Sequence, residues 1–257
     1  MRKMTFIICF FSILSVFSQE DQSVTERLKS KYDVVSYHST DGGWYSIRNG
    51  KWGACDLTGK EIIPPIWDAV YFHKTFYEVK NNGKVGIRDL NNRELLPCTK
   101  YTAVSWSQKK DYGGYCEVEI DGKKGVINKS NQIVIPCQYD DISIYSLKEG
   151  TTCNVKQNGK VGVYDIEKRQ EVLPCTKYTA VRWYQKKDHG GYCEVEIDGK
   201  KGVIDKDNNE VIPCLYDDTR YFSLKEQPYC TVELKGKKGV ADINGNEIVP
   251  CKLGCSI

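Results

Sequence analysis

The fold is decided by a fifteen-residue stretch, GGYCEVEIDGKKGVI, which occupies residues 113–127 and returns unchanged at residues 190–204. An active site is normally built once, from unlike groups that converge on a single cleft. A motif that returns at a fixed period indicates a repeated structural unit instead. The sequence therefore points to an architecture before it points to a chemistry.

The pattern around this stretch occurs six times. Each copy has an aromatic-or-cysteine strand, an Asn-Gly, Asp-Gly or Lys-Gly pair, then Lys-x-Gly and a second strand. The glycines of Lys-x-Gly are Gly53, Gly86, Gly125, Gly162, Gly202 and Gly239. Alternate copies match best, because residues 96–127 align with residues 173–204 with only three differences. A block of two repeats has therefore been duplicated.

Each copy is predicted to contain a β-hairpin. Asp121-Gly122 supplies the positive φ angles of a two-residue turn. The same holds for Asn49-Gly50, the turn of the first copy. Around Asp121-Gly122, Val118 faces Gly125 on the core side and Glu119 faces Lys124 on the exposed side. Glycine opposite valine leaves room for a close approach by neighbouring backbone or side chain.

A third strand is predicted to end at a proline, as in residues 61–64 and 210–213. An aromatic residue and one or two aspartates follow, at residues 67–68, 139–141 and 216–218. We expect these aspartates to turn the chain outward and to accept hydrogen bonds from local backbone amides.

The pattern resembles the WG-repeat (KWG) family of bacterial proteins. The first copy carries the resemblance in Gly-Lys-Trp-Gly at residues 50–53, then Asp56, and GKEIIPPIWD at residues 59–68. Later copies replace the tryptophan, by Val85, Lys124, Val161, Lys201 and Lys238. The resemblance implies a β-repeat architecture and no defined reaction.

The predicted fold is all-β, a tandem array of six antiparallel β-meander repeats over residues 43–257. An open, solenoid-like array is expected, and a closed six-bladed propeller is the alternative. Arg2 and Lys3 precede a short apolar run, so residues 1–18 are predicted to be a signal peptide. Residues 19–42 are predicted to be a polar leader or linker with a short helix, capped by Ser23.

The predicted export would take the protein to the periplasm, the cell envelope or the medium. In these compartments cysteines usually form disulfides, so we expect disulfides here. The predicted bridges join cysteines that follow a proline to those in the next hairpin: Cys98–Cys116, Cys137–Cys153, Cys175–Cys193 and Cys214–Cys230, with Cys251–Cys255 at the end. A competing register joins Cys116 to Cys137 and continues forward. Cys55 is left over, free or intermolecular.

The predicted function is an exported, non-catalytic binding or scaffold module for a protein or glycan. Trp106, Tyr112, Trp183 and Tyr184 lie in a longer segment that only the second and fourth copies have. These aromatic residues suit a ligand surface, although the tryptophans would equally suit packing between repeats.

Other functions are less favoured. A net charge of +3 gives no basic face for nucleic acid, and no later segment is apolar for long enough to span a membrane. No cofactor or metal is expected, since no Cys-x-x-Cys occurs. The alternative is a secreted hydrolase that uses the repeated aspartates, Asp140-Asp141 and Asp217-Asp218.

Overall fold

The computed structural model describes residues 22–106, 113–144, 147, 151–183, 190–205, 207–221, 227 and 229–252. The chain divides into two compact units, unit 1 up to Ala103 and unit 2 from Val104. The predicted signal peptide, Tyr112, Tyr184 and Cys255 lie outside the described residues. In the described part, none of the helices has the length and hydropathy needed to cross a bilayer.

Unit 1 contains a helix and two four-stranded sheets. Helix α1 spans residues 22–29, and a short 3-10 helix spans Thr40–Gly42. Sheet 1 consists of strands β1 to β4 and sheet 2 of strands β5 to β8. The bounds are β1 Val34–His38, β2 Trp44–Asn49, β3 Lys51–Cys55, β4 Glu61–Trp67, β5 Ala69–His73, β6 Phe76–Asn81, β7 Lys84–Arg88 and β8 Glu94–Leu96.

Four further sheets, sheets 3 to 6, take four consecutive strands each from β9 to β24. The bounds are β9 Ala103–Val104, β10 Cys116–Ile120, β11 Lys123–Ile127, β12 Ile133–Tyr139, β13 Asp141–Ile142, β14 Thr152–Gln157, β15 Lys160–Asp165, β16 Gln170–Leu173, β17 Ala180–Val181, β18 Cys193–Ile197, β19 Lys200–Ile204, β20 Glu210–Tyr216, β21 Asp218–Thr219, β22 Tyr229–Leu234, β23 Lys237–Asp242 and β24 Glu247–Val249. Neighbouring strands are consecutive in sequence, and none of the described sheets closes on itself. The predicted tandem array of six antiparallel meanders is confirmed.

The predicted leader is part of the folded region. Residues 22–29 are helical, as predicted, although Ser23 lies inside the helix and not at its cap. Strand β1 of sheet 1 already begins at Val34. Leu28 and Tyr32 are buried against Tyr45 and Ile47 of sheet 1. A helical period places Val24 and Leu28 on one face, and that face covers the outer surface of the first sheet. The repeat region therefore starts before Gly43.

The predicted hairpin register is confirmed in β10 and β11, where Val118 pairs with Gly125 and Glu119 with Lys124. Asp121 has φ of 51° and Gly122 φ of 80°, as a type I′ turn requires. The first copy differs, because it is one residue shorter between the paired positions. Its Asn49 pairs with Lys51 around Gly50, so the expected two-residue turn is not formed there.

The third strands of the sheets differ in the position of their prolines. Strands β8, β16 and β24 end just before proline, as predicted. Strands β4, β12 and β20 run through their prolines, so the prediction is wrong for residues 61–64 and 210–213. In sheet 3, Lys124 pairs with Tyr139 and Val126 with Ile135, so four residues of β12 oppose two of β11. This bulge leaves the proline out of the ladder, where its missing N–H costs nothing.

The bulge explains why the last position of Lys-x-Gly is glycine in every copy. A Cβ on Gly125 would lie 2.7 Å from the Ile135 carbonyl oxygen and 2.7 Å from Cys137 Sγ. In the first copy, a Cβ on Gly53 would lie 2.8 Å from the Pro65 nitrogen. The predicted close approach is therefore confirmed, and the group that approaches is the third strand of the same sheet.

Two kinds of junction connect successive sheets. Between sheets 3 and 4, Asp140 accepts hydrogen bonds from the Lys123 ammonium and from the Asn158 amide, the latter at 2.6 Å. The donors lie 17 and 18 residues away, so the expected local amide bonds are replaced by bonds that tie two hairpins together. The same arrangement recurs at Asp68 and Asp217.

Between sheets 4 and 5, Thr179 takes the place of the aspartate. Its hydroxyl accepts a hydrogen bond from the Asp198 amide and donates one to the Glu196 carbonyl, each at 3.1 Å. Within unit 2, the junctions between sheets 3 and 6 therefore alternate, with Asp140, Thr179 and Asp217 in turn.

Candidate functional site

The structure records no disulfide among the ten described cysteines. Four of them, Cys116, Cys153, Cys193 and Cys230, are buried. The five that follow a proline lie over the glycine of Lys-x-Gly and direct Sγ at a valine carbonyl of the first hairpin strand: Cys98, Cys137, Cys175, Cys214 and Cys251. A small side chain with a weak donor fits the notch that glycine leaves.

Two of the predicted bridges, Cys214–Cys230 and Cys137–Cys153, do not fit this arrangement. Cys214 packs with Cys193 on the face of sheet 5 that contacts sheet 4, whereas its predicted partner Cys230 packs on the opposite face. Cys137 and Cys153 are separated in the same way by sheet 3, because Cys137 lies over Gly125 and Cys153 packs against Val126. The competing register places its partners on one face of one sheet.

Cys55 is also buried, beneath α1 in contact with Leu28 and Tyr45. The predicted intermolecular role requires an accessible thiol, so this position excludes it in the folded protein. Burial raises the pKa of Cys55 to about 11 and that of Cys153 to about 12. These thiols are protonated at neutral pH and are poor nucleophiles or metal ligands. The described residues contain no group of three or more His, Cys, Asp and Glu arranged to hold a metal ion.

The repeated aspartates are engaged with lysines. Lys123 and the Asn158 amide hold the pKa of Asp140 below its ordinary value, and Lys124 does the same for Asp141. Lys124 Nζ lies 2.7 Å from Asp141 Oδ1. The pairs around Asp217 and Asp218 repeat this pattern. A catalytic general acid needs a raised pKa, so these carboxyl groups are suited to ion pairing.

Trp183 lines a cleft of about 510 Å³ in unit 2. The other walls come from sheet 4, from the turn after β15, and from the loop between β19 and β20: Thr152, Asp165, Lys168, Gln170, Glu171, Val172 and Asn208. Trp106 of the sister segment is half-buried. Of the predicted ligand residues, the structure thus places Trp183 at a cleft, and Tyr112 and Tyr184 lie outside the described residues.

Trp183 also packs against the core cluster that joins sheets 4 and 5, which includes Val163, Leu173 and Cys193. Trp183 is therefore partly a packing residue and partly a cleft wall. The preceding Arg182 fixes the start of the segment. Its amide donates to the Glu194 carbonyl at 3.0 Å, and its Nε lies 3.0 Å from the Glu194 carboxylate.

Three polar side chains of the cleft are held by neighbours. Asp165 Oδ1 accepts hydrogen bonds from the amides of Glu167 and Lys168 at 2.9 and 3.1 Å. Glu171 accepts from the hydroxyl of buried Tyr139 at 2.9 Å and from the Cys175 amide at 3.1 Å.

The third is Asn208, whose side-chain amide donates to the Val172 carbonyl at 2.8 Å. Two acidic residues of the cleft, Asp165 and Glu171, are not predicted from the sequence, because they belong to a different sheet from Trp183. No local motif links them.

A family model described as a WG-containing repeat matches residues 52–84, 125–160 and 202–237. Each matched segment carries one aspartate junction, at Asp68, Asp140 or Asp217. No curated protein sequence matches the chain.

Several solved structures are similar to the chain at low identity. PorZ, a bacterial surface component of the type-IX secretion system of Porphyromonas gingivalis, is 10% identical with a TM-score of 0.31, over 83% of this chain and 31% of PorZ. Hsv2p of Kluyveromyces lactis is 13% identical with a TM-score of 0.29, over 81% of this chain and 74% of Hsv2p. Dihydro-heme d1 dehydrogenase NirN is 12% identical with a TM-score of 0.28, over 85% of this chain and 56% of NirN. The chain therefore spans less than a third of the length of PorZ.

Proposed function

Since this chain is a WG-repeat protein, we propose that it works as an exported, non-catalytic binding module for a protein or glycan partner. The observation that carries the proposal is the cleft beside Trp183, which lies in the aromatic segment that only two copies possess. Binding faces of repeat proteins are commonly built from loops added to individual repeats. The sheets supply a rigid frame for such loops.

Export is proposed from the sequence, where Arg2 and Lys3 precede a short apolar run. We expect the mature chain to begin at Gln19 and to act in the periplasm, at the envelope or outside the cell. N-terminal sequencing of the protein recovered from fractionated cells tests this. A cytoplasmic protein that retains Met1 would contradict it.

The absence of catalysis is proposed from the state of the repeated carboxyl groups. Asp140, Asp141, Asp217 and Asp218 have lowered pKa values because lysine ammonium groups lie beside them. A hydrolase of the alternative kind needs one carboxyl group that is protonated at working pH. These four favour the binding module over the hydrolase.

The test uses the mature protein and its variants Trp106→Ala, Trp183→Ala and the double variant. Binding of fluorescently labelled protein is measured on intact cells and on a glycan microarray. A repeat binder should lose binding in steps, with the double variant weakest. Binding that is unchanged in the double variant would refute the role of these segments. Hydrolysis of an arrayed glycan that is abolished by Asp140→Asn alone would favour the hydrolase.

A further inference from the structure

The cleft beside Trp183 combines an aromatic wall with carboxylate, amide and hydroxyl groups. Gln170, Glu171 and Val172 come from the edge strand β16 of sheet 4, and Trp183 comes from the segment after β17. Its volume of about 510 Å³ lies within the range of small-molecule sites, about 300–1,000 Å³. A protein partner needs a surface of about 800 Å², so a cleft of this size suits a small ligand or the end of a chain.

Two polar side chains of the cleft, those of Glu171 and Asn208, are fixed before any ligand arrives. Glu171 is bonded by Tyr139 and Cys175, and Asn208 by Val172, so neither side chain needs to be ordered on binding. Groups that are already immobile lower the entropic cost of association. Carboxylate oxygens accept hydrogen bonds from hydroxyl groups, and amide side chains both donate and accept. A ligand with many hydroxyl groups matches this set.

The charges of the cleft select against an acidic ligand. Two carboxylates, Asp165 and Glu171, face one ammonium, that of Lys168. Lys168 lies at the rim with 64% of its side chain exposed, and its Nζ is 3.8 Å from Asp165 Oδ2. The ammonium is therefore already offset by Asp165, and Glu171 would repel a uronate or sulfate group.

We propose that the Trp183 cleft binds a neutral oligosaccharide, with the apolar face of one sugar ring against the indole and its hydroxyl groups on Gln170 and Glu171. This inference rests on the proposed binding function and names the ligand class of that site. An aromatic side chain offers a flat apolar face with a polar edge, which matches a pyranose ring whose hydroxyl groups point sideways. Arg182 is a positioning residue, because its bonds to Glu194 fix the backbone next to Trp183.

The experiment is isothermal titration calorimetry of the mature protein with chitotriose, cellotriose, maltotriose, xylotriose and mannotriose, and with trigalacturonate as the acidic probe. At least one neutral trisaccharide should bind more tightly than trigalacturonate. Trp183→Ala should weaken that binding at least tenfold, and Gln170→Ala severalfold. Tyr229→Ala is the matched control, because Tyr229 is an exposed aromatic residue of unit 2 outside the cleft. It should change the affinity less than twofold.

Gln170→Ala keeps the test decisive if Trp183→Ala fails to fold, since Gln170 lies exposed on β16. The inference is overturned if no neutral trisaccharide binds more tightly than about 10 mM, if trigalacturonate binds best, or if neither cleft variant weakens binding. A protein partner that is lost on Trp183→Ala, while no saccharide binds, would overturn this inference and leave the proposed binding function standing. Loss of neither kind of partner would overturn both.

Discussion

Substitution of Gly125 by alanine should destabilise unit 2 through a steric clash with its own third strand. The new Cβ would lie 2.7 Å from the Ile135 carbonyl oxygen, 2.7 Å from Cys137 Sγ and 2.9 Å from the Cys137 nitrogen. Ordinary contacts are about 3.5–4.0 Å, so each overlap is about 0.6 Å or more. Two of the three atoms belong to the backbone of β12 and cannot move without shifting the bulge.

The expected change in the free energy of unfolding follows from two opposing effects. An extra methyl group in a close-packed site costs about 1–3 kcal/mol. Replacing glycine by alanine where φ is not positive restricts the unfolded chain and returns about 0.4–1 kcal/mol. We expect a net loss of about 1–2 kcal/mol in the free energy of unfolding, and a decrease of about 2–8 °C in Tm.

The assay is urea denaturation followed by circular dichroism, on Gly125→Ala, Cys137→Ala and the double variant. Cys137→Ala removes Sγ but leaves the backbone of β12, so it should relieve part of the clash and the two effects should not be additive. Cys137→Ala alone should cost about 1 kcal/mol, because it removes a half-buried thiol and its weak hydrogen bond. A Gly125→Ala variant as stable as the parent protein, or a strictly additive cycle, would refute the reasoning.

Three other predictions concern the cap, the junctions and the thiols. Leu28→Ala should cost about 2–4 kcal/mol in the free energy of unfolding of unit 1, because it opens a cavity between α1 and sheet 1. If urea denaturation shows no loss of stability, α1 does not cover the sheet. The pKa of Asp140 is lowered in the folded state, so its stabilising effect is complete above the ordinary pKa near 3.8 and is lost as the pH falls through the lower folded value. Asp140→Asn should therefore flatten the acid side of a plot of urea midpoint against pH from 6 to 2.5, and an unchanged slope would contradict the junction. Native protein should label at Cys153 with iodoacetamide at pH 7.5 far more slowly than protein in urea, since burial raises its pKa to about 12. Non-reducing peptide mapping should show no Cys137–Cys153 bridge, and finding one would contradict the faces assigned to these two thiols.

Only part of the candidate site can be predicted from the sequence. Trp183 can be predicted, because an aromatic segment present in only two of six copies stands out in an alignment of the chain with itself. Asp165 and Glu171 cannot be predicted, because Asp165 occupies a position where other copies carry an ordinary turn aspartate. Their closeness to Trp183 results from the contact between sheets 4 and 5, which no spacing within one copy encodes.

The sequence by itself determined the hairpins. Asp121-Gly122 set the turn of its hairpin, the turn set the register, and the two-residue period of a strand then placed Val118 opposite Gly125. All of these are interactions between residues fewer than ten positions apart.

Some features depend on contacts between whole strands and sheets, and only the tertiary structure decided them. The prolines of β4, β12 and β20 lie inside strands, because a bulge removes them from the ladder. Cys214 and Cys230 are sixteen residues apart in sequence, yet Cys214 lies on one face of sheet 5 and Cys230, from sheet 6, packs against the other face. Sequence distance does not report which face of a sheet a side chain takes after a bulge, and the stacking of sheets decides which side chains then meet.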